Sequence, residues 1–566
     1  MSFLTKKLWL ALAVLAVIRI AGLHLFLFGD ETLFAINAAD QAWVHYSIDH
    51  PPLMIWALNI VSAVFSHAPE ALRATVALMS MLTLLLIARM MLRAYGERSA
   101  LLATILLGTN SLFLSGSLQV DLVGGFLTLF TTLTLVCYLR FLETYKMRWL
   151  ALTGIGIGLA MLTNLAGFVL APALVVHYWF TQRKQNDFTY TKFIKTFILL
   201  GIIAGGVFAI YPLWSLALGD STFSRSFGHA FDLVAAESAG LKPTEGTNYS
   251  LLLIQFLNAF VWIGPLFICG IALIFFLHKK DQITMLFLLH ALVVFLFFTF
   301  VIQDNFRPLE KYFMVLSPGL AVITTRAVDF SITARKHVWS IIAAALGVLL
   351  VLFALNLAPT ETLPFYPKQA FLSAALTGAW NVRMPMLGSS GPVGFYITIS
   401  TIALSFALSF LLFVCALAFR KHKLAPVCLL MLVGIGAGYS LFLDQQLTLT
   451  LAGPDISSTS HEMVSWLREH RPQDYVVFRN VAFEYYLDDI YPVVRVEGNR
   501  PVFTRQIDFP AENNYDALAK LDGKTVAVVN FPKINPHSQL WQRLQQCTTL
   551  QTFIEKNEHA GFIARC

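Results

Sequence analysis

Charge is scarce in this chain. Asp, Glu, Lys and Arg make up 13% of its 566 residues and hydrophobic types 57%, whereas soluble domains carry about 25% charged residues. The scarcity is uneven: residues 1–443 hold 46 charged side chains, about 10%, and residues 444–566 hold 27, about 22%. With a mean hydropathy of +0.67, this describes a membrane body, 1–443, followed by a water-facing tail, 444–566. It excludes a cytosolic enzyme and a disordered scaffold. Alternation is lacking too: the apolar residues run in blocks of about twenty, which excludes an outer-membrane barrel. Cysteine is rare and scattered. Cys137, Cys269, Cys415 and Cys428 lie in apolar stretches and Cys547 and Cys566 in the tail, so no C-x-x-C metal or redox motif exists. The two tail thiols would pair if the tail faced an oxidising compartment, or they stay apart; both readings stand. There is no His-x-x-x-His, and Asp488-Asp489 is not an Asp-x-Asp. No metal site or cofactor is therefore expected, although an acidic cluster could take up a divalent ion.

The net charge of +7 sits in short basic clusters between apolar blocks, with no aromatic-basic face, so nucleic acid is not an expected partner. Those clusters set topology instead. Spans are expected near 8–28, 71–92, 100–118, 122–139, 149–163, 165–180, 193–217, 250–277, 282–302, 312–327, 338–357, 393–419 and 424–443. Taking the Lys6/Lys7 end as inside, one side collects 20 basic residues and the other seven: Arg73, Arg225, Lys242, Arg307, Lys311, Lys368 and Arg383. The asymmetry predicts a cytoplasmic N-terminus and, after thirteen spans, an external tail. The tight pair 149–163 and 165–180 decides that parity, since merging them would invert everything downstream. The first span has no small-x-small cleavage site and carries Arg19 and His24, so it is expected to stay as an anchor.

The tail reads as a small α/β unit. Thr459-x-x-Glu462 predicts a capping box opening a helix through His470, followed by strands at Asp474–Arg479, Pro492–Glu497 and Thr525–Phe531 and a helix at His537–Cys547. It carries no nucleotide fingerprint. Gly154-x-Gly156-x-Gly158 lies inside an apolar span with no strand before it, which makes it a helix-packing surface instead of a phosphate loop. Asn248-Tyr249-Ser250 matches a glycosylation sequon only at chance frequency.

Chemistry is expected in the first external loop. From Gly29 to Ala71 it holds Asp30, Glu31, Asp40, Asp49, His50 and Glu70 and no Lys or Arg. Thr32–Tyr46 and Pro52–Phe65 read as interfacial helices around the Asp49-His50-Pro51-Pro52 turn. Carboxyls held at a membrane surface are candidates for proton abstraction; Asp30 and Glu31 read equally as acidic residues opening a helix. Asp121, between two spans on the same outer side, is either a solvated loop carboxylate or a functional one at a span's mouth. Arg73, Arg307, Lys311 and Tyr312 lie on that side as well. The cations could hold a phosphate, or could simply snorkel.

Asp30-Glu31-Thr32 after the first span, Asp49-His50-Pro51-Pro52-Leu53 closing the loop, Arg73, Asp121, Gly158-Leu159-Ala160-Met161-Leu162-Thr163-Asn164 with Pro172, and Lys311-Tyr312 with Pro318 resemble, in order and sidedness, the bacterial GT-C glycosyltransferases. The set looks like their lipid-carrier-dependent branch, relatives of protein O-mannosyltransferases and of the aminoarabinose transferase that modifies lipid A. It spans residues 1–330, and the thirteen-span plan with an external tail is similar to the aminoarabinose transferase throughout. The resemblance implies an all-α polytopic body of GT-C type with a small α/β domain outside the cytoplasm, in a bacterial inner membrane. It implies inverting transfer from a polyprenyl-phosphate sugar to a lipid, glycan or protein acceptor. Asp30 matches the family's catalytic acidic residue and would act as base; Glu31 and Asp121 would orient it or the acceptor, and His50, Arg73, Lys311 and Tyr312 would line the donor phosphate. Two positions depart from the pattern: Asn164 stands where many relatives carry Lys, and His50 near where the aminoarabinose branch places Lys.

Two other classes fit parts of this pattern. A flippase for a lipid-linked sugar would place ionisable groups near midplane and often repeat itself, but here they cluster at the outer boundary. A non-catalytic assembly partner would not need Asp30, Arg73 and Asp121 together.

Overall fold

A backbone in hydrocarbon must satisfy its own hydrogen bonds, so long apolar blocks become helices. The computed structural model describes most of residues 4–219, 261–272, 281–298, 310–333, 338–357, 361–363, 369–386, 395–448 and 455–566; the longest stretches outside it are 40–49, 225–260, 273–280, 299–309, 387–394 and 508–520. Helices lie at twelve of the thirteen expected spans, and 250–277 falls largely outside the described residues. By length and apolarity alone, seven described helices can cross a membrane, or eight if the bent pair Glu97–Gly108 and Ser111–Ser117 counts as one.

The first eleven helices are α1 Lys6–Ala21, α2 Asp30–Ala39, α3 Leu53–Val64, α4 Pro69–Tyr95, α5 Glu97–Gly108, α6 Ser111–Ser117, α7 Thr128–Thr144, α8 Met147–Thr163, α9 Leu170–Gln182, α10 Tyr190–Phe208 and α11 Ile210–Ala217. The first span is shorter than the expected 8–28. It stops at Gly22, whose N–H reaches back to Arg19 and Ile20, and residues 25–28 run on without helix. Arg19 is buried within the span, donating to Ser80 Oγ at 3.0 Å, whereas His24 is exposed beyond it.

The chain reverses at Asn164. A Cβ on Gly167 would sit 2.6 Å from the Ala160 carbonyl carbon, whereas a continuous helix would separate those residues by about 10 Å. Asn164 N–H closes α8 on Ala160 O at 2.9 Å, and its Oδ1 accepts from Ala166 N at 2.9 Å, opening the turn that leads into α9. The pair 149–163 and 165–180 is therefore two segments. The glycines of α8 pack as expected: Gly154 and Gly158 face α10 and Gly156 faces Thr134 of α7.

In the tail, the helix Ile456–His470 begins earlier than the capping box suggested. Asp455 is the N-cap, its Oδ1 accepting from Ser458 N at 3.0 Å, while the Thr459 hydroxyl donates to Asp455 O. Strands Tyr475–Phe478 and Thr525–Val529 pair in parallel at the centre of a five-stranded mixed sheet. Gln506–Ile507 flanks one side, and the hairpin Thr548–Glu555/Glu558–Arg565, not foreseen from the sequence, flanks the other. Val494–Val496 instead joins Arg500–Val502 in a separate ribbon, and the last helix is Gln539–Leu544. Cys547 and Cys566 form a disulfide. A further small sheet, Glu361–Thr362, Val382–Met386 and Phe395–Thr398, was likewise unforeseen.

Candidate active site

α2 and α3 lie between the first two spans; α3 fits the expected Pro52–Phe65, whereas α2 starts at Asp30, ahead of the expected Thr32, and residues 40–46 of that expectation lie outside the described residues. α3 supports α2 through Asn59, whose Nδ2 donates to Asn37 O at 3.3 Å and Ala38 O at 2.6 Å, satisfying carbonyls at the α2 C-terminus. Asp30 is the first residue of α2; its side chain, like that of Lys311, lies outside the described residues, as do Asp40, Asp49 and Arg307.

Glu31 and Arg73 are brought together completely out of solvent, each side chain 0% exposed. Arg73 Nη2 donates to Glu31 Oε2 at 2.9 Å and Oε1 at 3.1 Å, and also to Phe26 O at 3.0 Å; its Nε donates to Leu118 O at 2.9 Å. Nη1 has no partner among the described residues. Glu31 also accepts from Phe28 N at 3.1 Å and Val120 N at 2.9 Å. Burial pushes its carboxyl above the usual range, and Arg73 with the two backbone N–H groups pulls it back. Every partner of Glu31 is a donor, so the carboxylate is the form this setting holds. One side chain thus ties the approach to α2, the N-terminal end of α4 and the turn after α6.

That turn carries Asp121, which is 1% exposed and buried, not solvated. It is shaped by a close approach: Gly124, in the π-helical turn Val123–Leu127, lies directly on Gly116 of α6, and a Cβ on Gly124 would collide with the Gly116 backbone. π-turns inside helices often mark functional positions. The 3₁₀ segment Glu310–Leu316, with Tyr312, packs across the same crossing through Met314, which touches Gly116. Tyr312 itself stacks on Phe298, ring centroids 4.8 Å apart. His50 is half-buried; its carbonyl accepts from Tyr211 OH at 3.4 Å and its ring lies 6.5 Å from that of Phe34.

The structure therefore unites Glu31, Arg73 and the turn of Asp121, puts Tyr312 on a segment packed against that turn, and holds His50 through Tyr211 at the start of α3. Sequence reasoning missed the tail domain's share of the site. Ser457 Oγ accepts from Phe26 N at 2.7 Å, and Phe26 stacks on Tyr486 with centroids 4.3 Å apart. A polar residue in the first turn of a tail helix carries no signal of such a partner 431 positions away. Among the described residues, no group of three or more His, Cys, Asp or Glu side chains could hold a metal ion.

Residues 49–213 match the family model described as dolichyl-phosphate-mannose-protein mannosyltransferase. ArnT from Cupriavidus metallidurans bound to undecaprenyl phosphate is similar in structure, with a TM-score of 0.53 and 15% identity, covering 99% of this chain and 98% of that one. The apo form of that ArnT gives 0.56 and 16%, covering 98% and 97%. No curated protein matches the chain. The chain thus has the fold of the GT-C glycosyltransferases over its whole length, with the mannosyltransferase family match lying on α3 to α11 and the loops between them.

Proposed function

We propose that this protein is an inverting glycosyltransferase that moves a sugar from a polyprenyl-phosphate carrier, such as undecaprenyl phosphate, to an envelope acceptor. The acceptor classes are a lipid such as lipid A, another glycolipid, a glycan or a protein. The observation that carries the reading is the buried knot of Glu31, Arg73 and the Asp121 turn directly beside Asp30, at the mouth of the membrane body. An idle charge pair in such a place is expensive, and intramembrane ionisable groups mark function by default.

In this mechanism Asp30 accepts the proton of the acceptor hydroxyl as its oxygen attacks the anomeric carbon, and the bond from that carbon to the carrier phosphate breaks, releasing polyprenyl phosphate. Glu31 is a positioning residue: it fixes the first turn of α2 to Arg73 and Val120. Arg73 keeps one guanidinium nitrogen, Nη1, for a phosphate oxygen or a carboxylate. Asp121 orients the acceptor, and Lys311, Tyr312 and His50 line the donor side. The membrane body is residues 1–443 and the domain 444–566 lies in the periplasm of a bacterial inner membrane, with the N-terminus cytoplasmic; the charge asymmetry and the tail disulfide support that orientation.

The test is mass spectrometry of lipid A, other envelope glycolipids and secreted proteins from cells with the wild-type chain, without it, and with Asp30→Asn. A sugar-sized mass lost in both defective strains supports transfer. Loss on deletion but retention with Asp30→Asn would make the protein a carrier transporter or a non-catalytic partner.

A further inference from the structure

The tail domain is bolted to the segment that leads into the candidate catalytic helix. Three of residues 24–27 have a backbone group held by a tail side chain: His24 O by His461 Nε2 at 3.1 Å, Phe26 N by Ser457 Oγ at 2.7 Å, and Leu27 O by Asn480 Nδ2 at 3.4 Å. The Phe26 ring completes the clasp. It stacks on Tyr486 at 4.3 Å and meets His461 edge-on at 4.9 Å and Phe483 at 5.3 Å. Extended backbone at a buried protein seam needs such partners, because its peptide groups have no helix to satisfy them.

The clasp is continuous with the site. The Phe26 peptide is held at N by Ser457 and, across the same residue, at O by Arg73 Nη2, which also holds Glu31. Two residues later Phe28 N donates to Glu31 Oε2, and Gly29, at φ 58°, turns the chain into α2. From the Ser457 contact to Asp30 is four residues of chain with no slack.

We infer that the C-terminal domain is a positioning element of the transferase, with Ser457 as its key residue: by fixing the Phe26 peptide it sets where α2 begins, and so where Asp30 stands relative to Arg73 and Asp121. The tail is then part of the catalytic machinery of its own chain, beyond any role in choosing the acceptor. This inference rests on the transferase reading above. A misplacement of about 1 Å at a reacting group costs rate far more than binding, so disturbing the clasp should lower kcat and spare the donor KM.

The experiment uses the full chain, re-expressed in a deletion strain. Membranes are titrated with the polyprenyl-phosphate-sugar fraction extracted from the same cells, and transfer to the endogenous acceptor is followed by mass spectrometry. Ser457→Ala, which removes the acceptor for Phe26 N, is expected to lower kcat five- to twentyfold with apparent donor KM unchanged within twofold. Ser457→Thr keeps the hydroxyl, and a small cavity bordering Ser457 leaves space for the methyl; it is expected to restore at least half of the rate. Ser465→Ala, on the same helix but bonded only to its own turn, should match wild type. In parallel, hydrogen exchange at the Phe26 amide should quicken in Ser457→Ala and not in Ser457→Thr. Wild-type kcat in Ser457→Ala, or an equal loss in Ser457→Ala and Ser457→Thr, overturns the inference. Asp30→Asn in the same series separates the two readings: if it is inactive while Ser457→Ala is normal, only the clasp fails, and if it is fully active the transferase mechanism fails first.

Discussion

Arg73 and Glu31 meet through one nitrogen shared between both carboxylate oxygens, Nη2 to Oε2 at 2.9 Å and to Oε1 at 3.1 Å, with neither side chain exposed. Removing one member of such a pair leaves the other charge buried and alone, which costs about 3–5 kcal/mol. Arg73→Gln and Glu31→Gln should each lower the unfolding temperature in detergent. The double variant should lose clearly less than the sum, with a coupling of about 1–3 kcal/mol. Strict additivity would show that the two do not act as a unit.

The Gly116–Gly124 contact sets the turn that brings Val120 N to Glu31. Gly124→Ala must push α6 from the π-turn, so transfer should fall by more than tenfold with a lower unfolding temperature. Gly205→Ala, where a Cβ meets nothing within 4 Å, should leave both unchanged. Equal behaviour of the two variants in a thermal-shift and transfer assay would contradict the role given to this crossing.

Most of the body was legible in the sequence because hydrophobic blocks and basic loops are one-dimensional signals. The pairing of Arg73 with Glu31 was not: the sequence offers Arg73 as a phosphate ligand or a snorkelling cation and Glu31 as a helix-opening acid or an orienting carboxylate, and only the crossing of α4, α6 and the residues before α2 shows that they face each other. Asn164, read as a missing cation, acts as a cap on both sides of a chain reversal. The hairpin 548–565 escaped notice because its first strand is mostly exposed and lacks a clear apolar face. The clasp on Phe26 joins residues over 400 positions apart through backbone groups, which leave no trace in residue type.

The seam between tail and body should weaken in acid. Burial holds the His461 imidazole below its usual 6.5, against the pull of His24 O and Glu70, with Arg73 and His24 adding to the lowering. A base whose folded pKa is depressed takes up its proton more readily when unfolded, so its contribution is fully present above the unfolded value of 6.5 and is lost as pH falls from there through the lower folded pKa. The wild-type unfolding temperature should drop between pH 7.5 and pH 5.5 by more than that of His461→Asn. An identical drop would remove His461 as the source.

The disulfide closes a loop with a separation of 19 residues, which corresponds to about 3 kcal/mol of stabilisation on the loop-entropy scale. Cys547→Ser should therefore sharply lower the stability of the tail. In intact cells neither Cys547 nor Cys566 should be alkylated until a reductant is added. Ready alkylation of both without reductant would put the tail in a reducing compartment and contradict the proposed orientation.

The most direct test of the transferase account is the mass of the acceptor in cells carrying Asp30→Asn, with the variant present in the membrane at wild-type level. The account predicts that the sugar-sized increment disappears, as it does when the chain is deleted. Retention of more than a few per cent of wild-type transfer would show that Asp30 is not the group that takes the proton.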